Sequence, residues 1–269
     1  MNQADMPSQT DKMLSRKEGH VGYVIFNNPE RRNAVSLEMW EATARILDDF
    51  GNDKDIRVVV LTGAGDKAFV SGADISRFEN ERANEEAILR YNRTVERANT
   101  AIYEYPKPTI AMIRGFCIGG GVGLALSCDL RICSQDSRFA VPAAKLGLGY
   151  PYHGLKKLVD VVGIAFAKEI FYTARQFDAE EARLMGLVNR LVPAAELEAY
   201  VANTARTIAE NAPLTIAATK FSIGEVVKDE TKRDLARAAE LVKQCFESRD
   251  YTEGRRAFME KRRPVFTGT

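Results

Sequence analysis

The chain has 269 residues, a formal net charge of +1, and 45% hydrophobic and 28% charged residues. That length accommodates one large or two modest domains. Balanced, scattered charge excludes the basic stripe of a nucleic-acid binder, and no apolar run approaches a membrane span.

Residues 1–12 are polar and lack the apolar stretch of a secretory signal, so a disordered tail on a cytoplasmic protein is expected. HVGYVIFN, residues 20–27, has the β-branched and aromatic enrichment of a strand, which Asn28-Pro29 ends. A helix is predicted from Ser36, a plausible N-cap, to Phe50. IRVVVLTG (56–63), closed by Gly63-Ala64-Gly65, fits a buried parallel strand. A charged helix spans roughly 80–104, and Pro106 and Pro108 stop it before a further strand, TIAMIRG (109–115). Alternation of this kind predicts βαβ units. Asp178 and Glu181 form a capping box for the next helix, with Gly186 as its stop, and LVNRLV forms a short strand ending at Pro193. Helical apolar spacing then covers 194–211, 213–227 and 230–247. The prediction is an α/β core over 13–195 and a helical C-terminal region over 196–269. The four cysteines, Cys117, Cys128, Cys133 and Cys245, form no CxxC pair and read as reduced core residues rather than metal or redox sites.

GFCIGGGVGLALSCD, residues 115–129, places three glycines where a helix should start, although glycine is a poor helix former. The first N–H groups of a helix are unpaired and carry the positive end of its dipole. Gly119, Gly120 and Gly121 would let a ligand oxygen approach them, as a carbonyl turning into an enolate requires. Helix-strand packing without any ligand is the plainer alternative. Leu124 occupies the last glycine position of a GxGxxG dinucleotide fingerprint, and GxxxxGK[ST], GxSxG and HExxH are absent. In AFVSGADI (68–75), Gly72 again exposes backbone between small neighbours.

NNPERRNAVS (27–36), AFVSGADI, the triple-glycine segment, FAVPAAKLGLG from Phe139, FYTARQFDAEEARLMGLVNRLVP and the closing AFMEKRRPVF resemble, in this order, the enoyl-CoA hydratase/isomerase (crotonase) family. The resemblance covers nearly the whole chain. It implies a crotonase-like ββα superhelix, an acyl-CoA substrate, coenzyme A only as part of that substrate, and a homo-trimer or dimer of trimers. It further implies that the backbone N–H groups of Ala73 and Gly120 form an oxyanion hole for the thioester carbonyl. Coenzyme A would run along Arg31, Ala68, Ser71, Ala73, Asp74 and Ile75. Phe258 and Lys261 of a neighbouring subunit would add contacts, although Lys261 with Arg262 and Arg263 also reads as an ordinary solvated helix end. The C-terminal region would thus serve trimerisation and coenzyme A contact.

The chain departs from the family where hydratases carry two glutamates, because those positions hold Gly123 and Ala143. Neither side chain can transfer a proton. Asp74 and Asp129 do not replace them; both read as structural groups in caps or buried pairs. A loop over 145–155 is expected to bring Tyr150 and His153 toward the acyl portion, with Tyr152 packing and His20 distant. His153 could exchange protons near neutrality or simply sit on the surface. Methylmalonyl-CoA decarboxylases resemble this chain at Tyr150 and in SRDYTEGRRAFMEKRRP, but carry a histidine where this chain has Ala73. Three activities stay open: enolate chemistry of the hydratase/isomerase type, decarboxylation of a malonyl-type thioester, and acyl-CoA binding without turnover.

Overall fold

In the computed structural model of the chain, which describes residues 10–77 and 83–269, the run VVVLTG forms strand β3 (Val58–Gly63) inside a six-stranded sheet. Strands β2 (Val21–Phe26) and β5 (Thr109–Ile113) flank it in parallel. On the far side of β5 come β7 (Leu130–Ser134) and β10 (Arg190–Val192), also parallel, while β1 (Met13–Glu18) closes the other edge antiparallel to β2. A second sheet orders β4 (Ala68–Val70), β6 (Phe116–Ile118), β8 (Arg138–Ala140) and β9 (Phe177–Asp178).

The chain crosses from the large sheet to the small one three times, from β3 to β4, β5 to β6 and β7 to β8. A helix follows each crossing: α2 (Glu85–Tyr103), α3 (Gly120–Ser127) and α4 (Tyr152–Thr173). This is the ββα superhelix that the family resemblance implies, rather than simple βαβ units. Helix α1 (Leu37–Asn52) links β2 to β3, and α5 (Ala179–Leu184) starts with both halves of the Asp178/Glu181 capping box formed.

Period-two alternation explains how the large sheet is covered. Val24, Phe26, Val59 and Leu61 face the main core with Trp40, Phe50, Phe69 and Ile102. Val21, Tyr23, Val58 and Val60 face the other way, where helix α6 (Leu197–Glu210) covers them with Leu197, Val201, Ala205 and Ala209, one residue per helical turn. Full burial of a leucine or valine contributes about 1.5–3 kcal/mol, so this stripe fixes α6 to the sheet. Three further helices, α7 (Pro213–Val226), α8 (Leu235–Glu247) and α9 (Arg249–Met259), complete the helical C-terminal region. Asp129 ties α7 to the sheet by accepting hydrogen bonds from Thr109 N (2.7 Å), Thr109 Oγ1 (3.0 Å) and Lys220 Nζ (2.8 Å).

Several boundaries differ from the sequence reading. Residues 1–9 of the expected tail, and residues 80–82 at the start of the charged helix, lie outside the described residues. Asp11 and Lys12 are held by Asn27, whose side chain donates to the Asp11 carbonyl and whose backbone N–H donates to that of Lys12. Tyr152 and His153, expected on a loop, occupy the first turn of α4 behind Pro151 at its N-cap. Gly163 (φ 76°, ψ 168°) interrupts α4. The chain returns there, because the Tyr150 and Phe171 rings lie 4.9 Å apart whereas one continuous helix would separate residues 21 apart by roughly 30 Å.

Cys117, Cys128 and Cys133 are buried and Cys245 partly so, all as free thiols. Burial pushes Cys128 and Cys133 up to about 12, which keeps them protonated and unreactive. Among the described residues no helix is long and apolar enough to cross a membrane.

Candidate active site at the glycine helix

Two backbone segments meet at the start of α3. The first is the Ser71–Asp74 turn after β4. Val35 brackets it: its N–H donates to Gly72 O (2.8 Å), and its carbonyl accepts from Asp74 N (3.0 Å). The intervening Ala73 amide therefore faces away from Val35, and no hydrogen-bond acceptor for it exists among the described residues. Asn33 supports the turn from below. Fully buried, it donates to the carbonyls of Ala64 (2.9 Å) and Ala68 (2.8 Å) and accepts from Asn28 N (2.9 Å).

The second segment is the triple glycine. Gly119 (φ 54°, ψ −110°) holds a backbone conformation that favours glycine, with its N–H anchored on Ala140 O at 2.8 Å. A Cβ on Gly121 would lie 2.1 Å from Val70 O, so α3 can approach β4 only without one. Gly120 is the first helical residue, and its N–H has no intrahelical acceptor. A Cβ built on Gly120 would lie 3.9 Å from Ala73 N, and one built on Gly72 would lie 3.8 Å from Gly120 N. The two unpaired amides thus border one space at the positive end of a helix, an arrangement that suits a developing oxyanion.

Around this cradle the remaining predicted residues are placed as follows. Ala68 is buried in β4, and the Ser71 hydroxyl donates to Arg31 O (3.2 Å). Ile75 begins a 3-10 turn. Asp74 is 4% exposed and accepts from Arg31 Nη1 (3.1 Å) and Ser76 Oγ (2.6 Å), while Arg31 also donates to Ser76. Burial disfavours the charged Asp74 carboxylate, but the Ser76 hydroxyl and the Arg31 guanidinium outweigh it and hold its pKa below the usual value. Asp74 is therefore a charged anchor for Arg31.

Gly123 faces Tyr150, and Ala143 follows Pro142. A Cβ on Gly123 would meet only the Tyr150 hydroxyl, at 3.7 Å, and Ala143 is buried in the 3-10 turn Pro142–Leu146. Tyr150 stacks edge-on against Phe171, and a Cβ on Gly154 would lie 2.8 Å from its Cε1. Its hydroxyl has no hydrogen-bond partner among the described residues. Burial raises the Tyr150 pKa, so the phenol is a donor throughout the neutral range. His153 is not brought to the cradle side by side with it: its side chain is 73% exposed and lies 3.7 Å from Glu96. Tyr152 is likewise exposed. Phe258 in the last turn of α9 and Lys261 just beyond its end are exposed; Phe258 lines an apolar cavity of about 870 Å³ between α7, α8 and α9, which no cradle residue lines.

Two features escaped the sequence reading. Below Gly123, Ser127 Oγ lies 3.0 Å from Gly123 O and accepts from Lys157 Nζ (3.1 Å). Burial lowers the Lys157 pKa, and its ammonium sits over the Tyr103 ring at 4.6 Å. Trp40, 1% exposed, places Cζ2 3.8 Å from the Gly120 Cβ position, and its buried Nε1–H has no partner among the described residues. An unsatisfied buried donor costs about 1–3 kcal/mol. A lone tryptophan in an amphipathic helix carries no signal beyond core packing, so only the structure could reveal it.

Comparison with known proteins follows the same lines. The family model for enoyl-CoA hydratase/isomerase matches residues 16–269. The chain is 33% identical over 255 residues to a short-chain-enoyl-CoA hydratase of Clostridium acetobutylicum, covering 95% of this chain and 97% of that protein. It is 33% identical over 260 residues to a peroxisomal Delta(3,5)-Delta(2,4)-dienoyl-CoA isomerase of Arabidopsis thaliana, with 93% of each covered. Among solved structures, an enoyl-CoA hydratase/carnithine racemase from Magnetospirillum magneticum superposes with a TM-score of 0.92 at 37% identity, covering 97% of both chains.

Proposed function

The chain belongs to the enoyl-CoA hydratase/isomerase family, and from that premise we propose that it binds an acyl-CoA thioester with the carbonyl oxygen between the amides of Ala73 and Gly120. The observation that carries this reading is the pair of unpaired amides bordering one space at the α3 N-terminus. Each donor of such a hole is worth about 2.7–4 kcal/mol at the transition state, enough to make a thioester enolate accessible. Coenzyme A runs along Arg31, Ala68, Ser71, Ala73, Asp74 and Ile75. Phe258 and Lys261 reach it from a neighbouring copy in a homo-trimer or dimer of trimers, which the exposed apolar residues of α8 and α9, such as Phe246 and Met259, favour.

The enolate arises without the paired glutamates, since Gly123 and Ala143 hold no proton. A second reading is decarboxylation of a malonyl-type thioester, favoured by the free Tyr150 hydroxyl beside Gly123. The bond from C2 to the carboxylate breaks, CO₂ departs, and the electron pair delocalises onto the thioester oxygen between the two amides. Protonation at C2 completes the reaction. No base is required, only a donor such as Tyr150 to orient the carboxylate and a proton source, such as water, for C2. Acyl-CoA binding without turnover is the remaining alternative. His153, exposed beside Glu96, has a peripheral place in each of these.

A panel of enoyl-, 3-hydroxyacyl- and malonyl-type CoA thioesters, with products followed by mass spectrometry, separates these reactions. Crotonyl-CoA should hydrate far below ordinary enzyme rates of about 1–10³ s⁻¹, and hydration within that range would reveal a base elsewhere. Release of CO₂ from methylmalonyl-CoA above background supports the second reading, and its absence removes it.

A further inference from the structure

Helices α3 and α4 meet in two steps, the upper of which holds Tyr150. Gly123 and Ser127 stand four residues apart and therefore share one face of α3, about 6 Å apart along its axis. Gly154 and Lys157, three residues apart, likewise share one face of α4. In the upper step the Tyr150 ring lies against Gly154, and its hydroxyl is 3.7 Å from the Cβ position of Gly123. In the lower step Lys157 Nζ donates to Ser127 Oγ (3.1 Å). It also donates to Asn99 O of α2 (3.4 Å) and lies 4.6 Å from the centre of the Tyr103 ring. The Ser127 hydroxyl has Gly123 O (3.0 Å) and Asn99 Oδ1 (3.2 Å) as acceptors, so the hydrogen bonds run on to the upper step or back into α2.

Among the described residues, no other side chain of 152–162 hydrogen-bonds outside α4: Lys156 pairs with Asp160 within the helix, and His153 makes only the exposed 3.7 Å contact with Glu96. The apolar grip of this arm comes from Leu158 and Val162 in the main core. Apolar contacts are non-directional, whereas hydrogen bonds fix distance and direction. An ammonium shared between α2 and α3 therefore sets where along α3 the arm stands. Tyr150 leads into the arm through Pro151, whose carbonyl accepts from Gly154 N (3.1 Å) and Leu155 N (3.2 Å), so the phenol moves with it. We propose that Lys157 is a positioning residue: through Ser127 and Asn99 it fixes the register of α4 on α3 and thereby aims the Tyr150 hydroxyl at the space beside Gly123. This rests on the reading of Tyr150 as the acyl-side donor and adds the residue that sets its place.

The test incorporates 3-fluorotyrosine at Tyr150 alone and follows its fluorine resonance in the whole chain. Lys157→Met, which keeps an unbranched side chain and removes the ammonium, should shift or split that resonance beyond its linewidth. Ser127→Ala, which removes the acceptor on α3 and leaves a strong helix former, should do the same. A label at Tyr200 on α6, across the large sheet, should stay in place in both variants. A Tyr150 resonance that does not move in Lys157→Met overturns the proposal, as does joint movement of both labels, which would make Lys157 a general packing residue. If Lys157→Met does not fold, Ser127→Ala gives the same decision. For any thioester the protein turns over, Lys157→Met should lower kcat about tenfold and leave KM within about twofold. Combined with Tyr150→Phe the loss should remain about tenfold, whereas multiplication to about a hundredfold would show that Lys157 acts independently of the phenol. If no thioester binds, the acyl-CoA reading falls, while the fluorine measurement still decides whether Lys157 places the ring.

Discussion

The cradle at the start of α3 and the Tyr150 surface before α4 are built by opposite means. The cradle is made of backbone: Gly121 excludes a side chain, Val35 brackets Ala73, and both free N–H groups follow from chain path alone. The α4 side is made of side chains, with Tyr150 held by Phe171 and Gly154 while Gly123 and Ala143 stand bare. Amides fixed by the fold persist through most substitutions around them, whereas proton-handling groups can be lost by two. One scaffold can thus keep its means of stabilising an enolate while changing how the enolate is made.

The sharpest way to probe this contrast is to supply what the α4 side lacks. Gly123→Glu combined with Ala143→Glu should raise crotonyl-CoA hydration by about 10²–10⁴-fold, since a Cβ at Gly123 meets only the Tyr150 hydroxyl at ordinary contact distance. No gain in a steady-state assay would show that the cradle alone does not leave the site ready for an acid and base. Damage to the cradle comes next. Gly121→Ala forces a methyl against Val70 O and should destabilise the protein by about 1–3 kcal/mol in denaturant melts. It should also lower kcat/KM for any active thioester by about 10²–10³-fold through displacement of the Gly120 donor; wild-type kinetics would contradict the backbone origin of the site.

On the other side, Tyr150→Phe should cost about tenfold in turnover, with the fold intact. Burial raises the Tyr150 pKa, so the phenol keeps its proton up to and beyond its ordinary value of about 10. The pH profile should consequently show no loss below that value that the variant abolishes, and such a loss would mean Tyr150 acts as phenolate. The smallest effect is expected for His153→Ala. An exposed ion pair such as His153–Glu96 is worth about 0–1 kcal/mol, and rates should stay within about twofold. A larger fall would return His153 to the reacting groups.

Strands β2, β3 and β5 of the large sheet were legible as β-branched runs and the Asp178/Glu181 capping box by its local signature, whereas β1 (MLSRKE) and β7 (LRICS) carry too few β-branched residues to stand out and were missed. The small sheet was not legible: β4, β6 and β8 have three residues each, too few for a period to emerge. Ser36 stands at the N-cap of α1 as predicted, yet its hydroxyl makes no capping bond and turns to Glu38 instead. For the site, the glycines announced a close approach, and the structure supplies the separate partner of each. Placement of Tyr152 and His153 was misread because Pro151 marks a helix start there rather than a loop. Trp40 and the Lys157–Ser127 pair were invisible, since their significance depends on what lies across from them in space.

Gly163 extends this contrast to a distance. By reversing α4 it makes Phe171 the backstop for the Tyr150 ring, although neither residue is its neighbour in sequence. One extra residue beside this corner would turn the returning arm by about 100° and carry Phe171 off the phenol without touching the amides of Ala73 and Gly120. The aim of Tyr150 is thereby set by the length of a helical arm, a quantity that insertions and deletions alter more readily than any chemistry at the site itself.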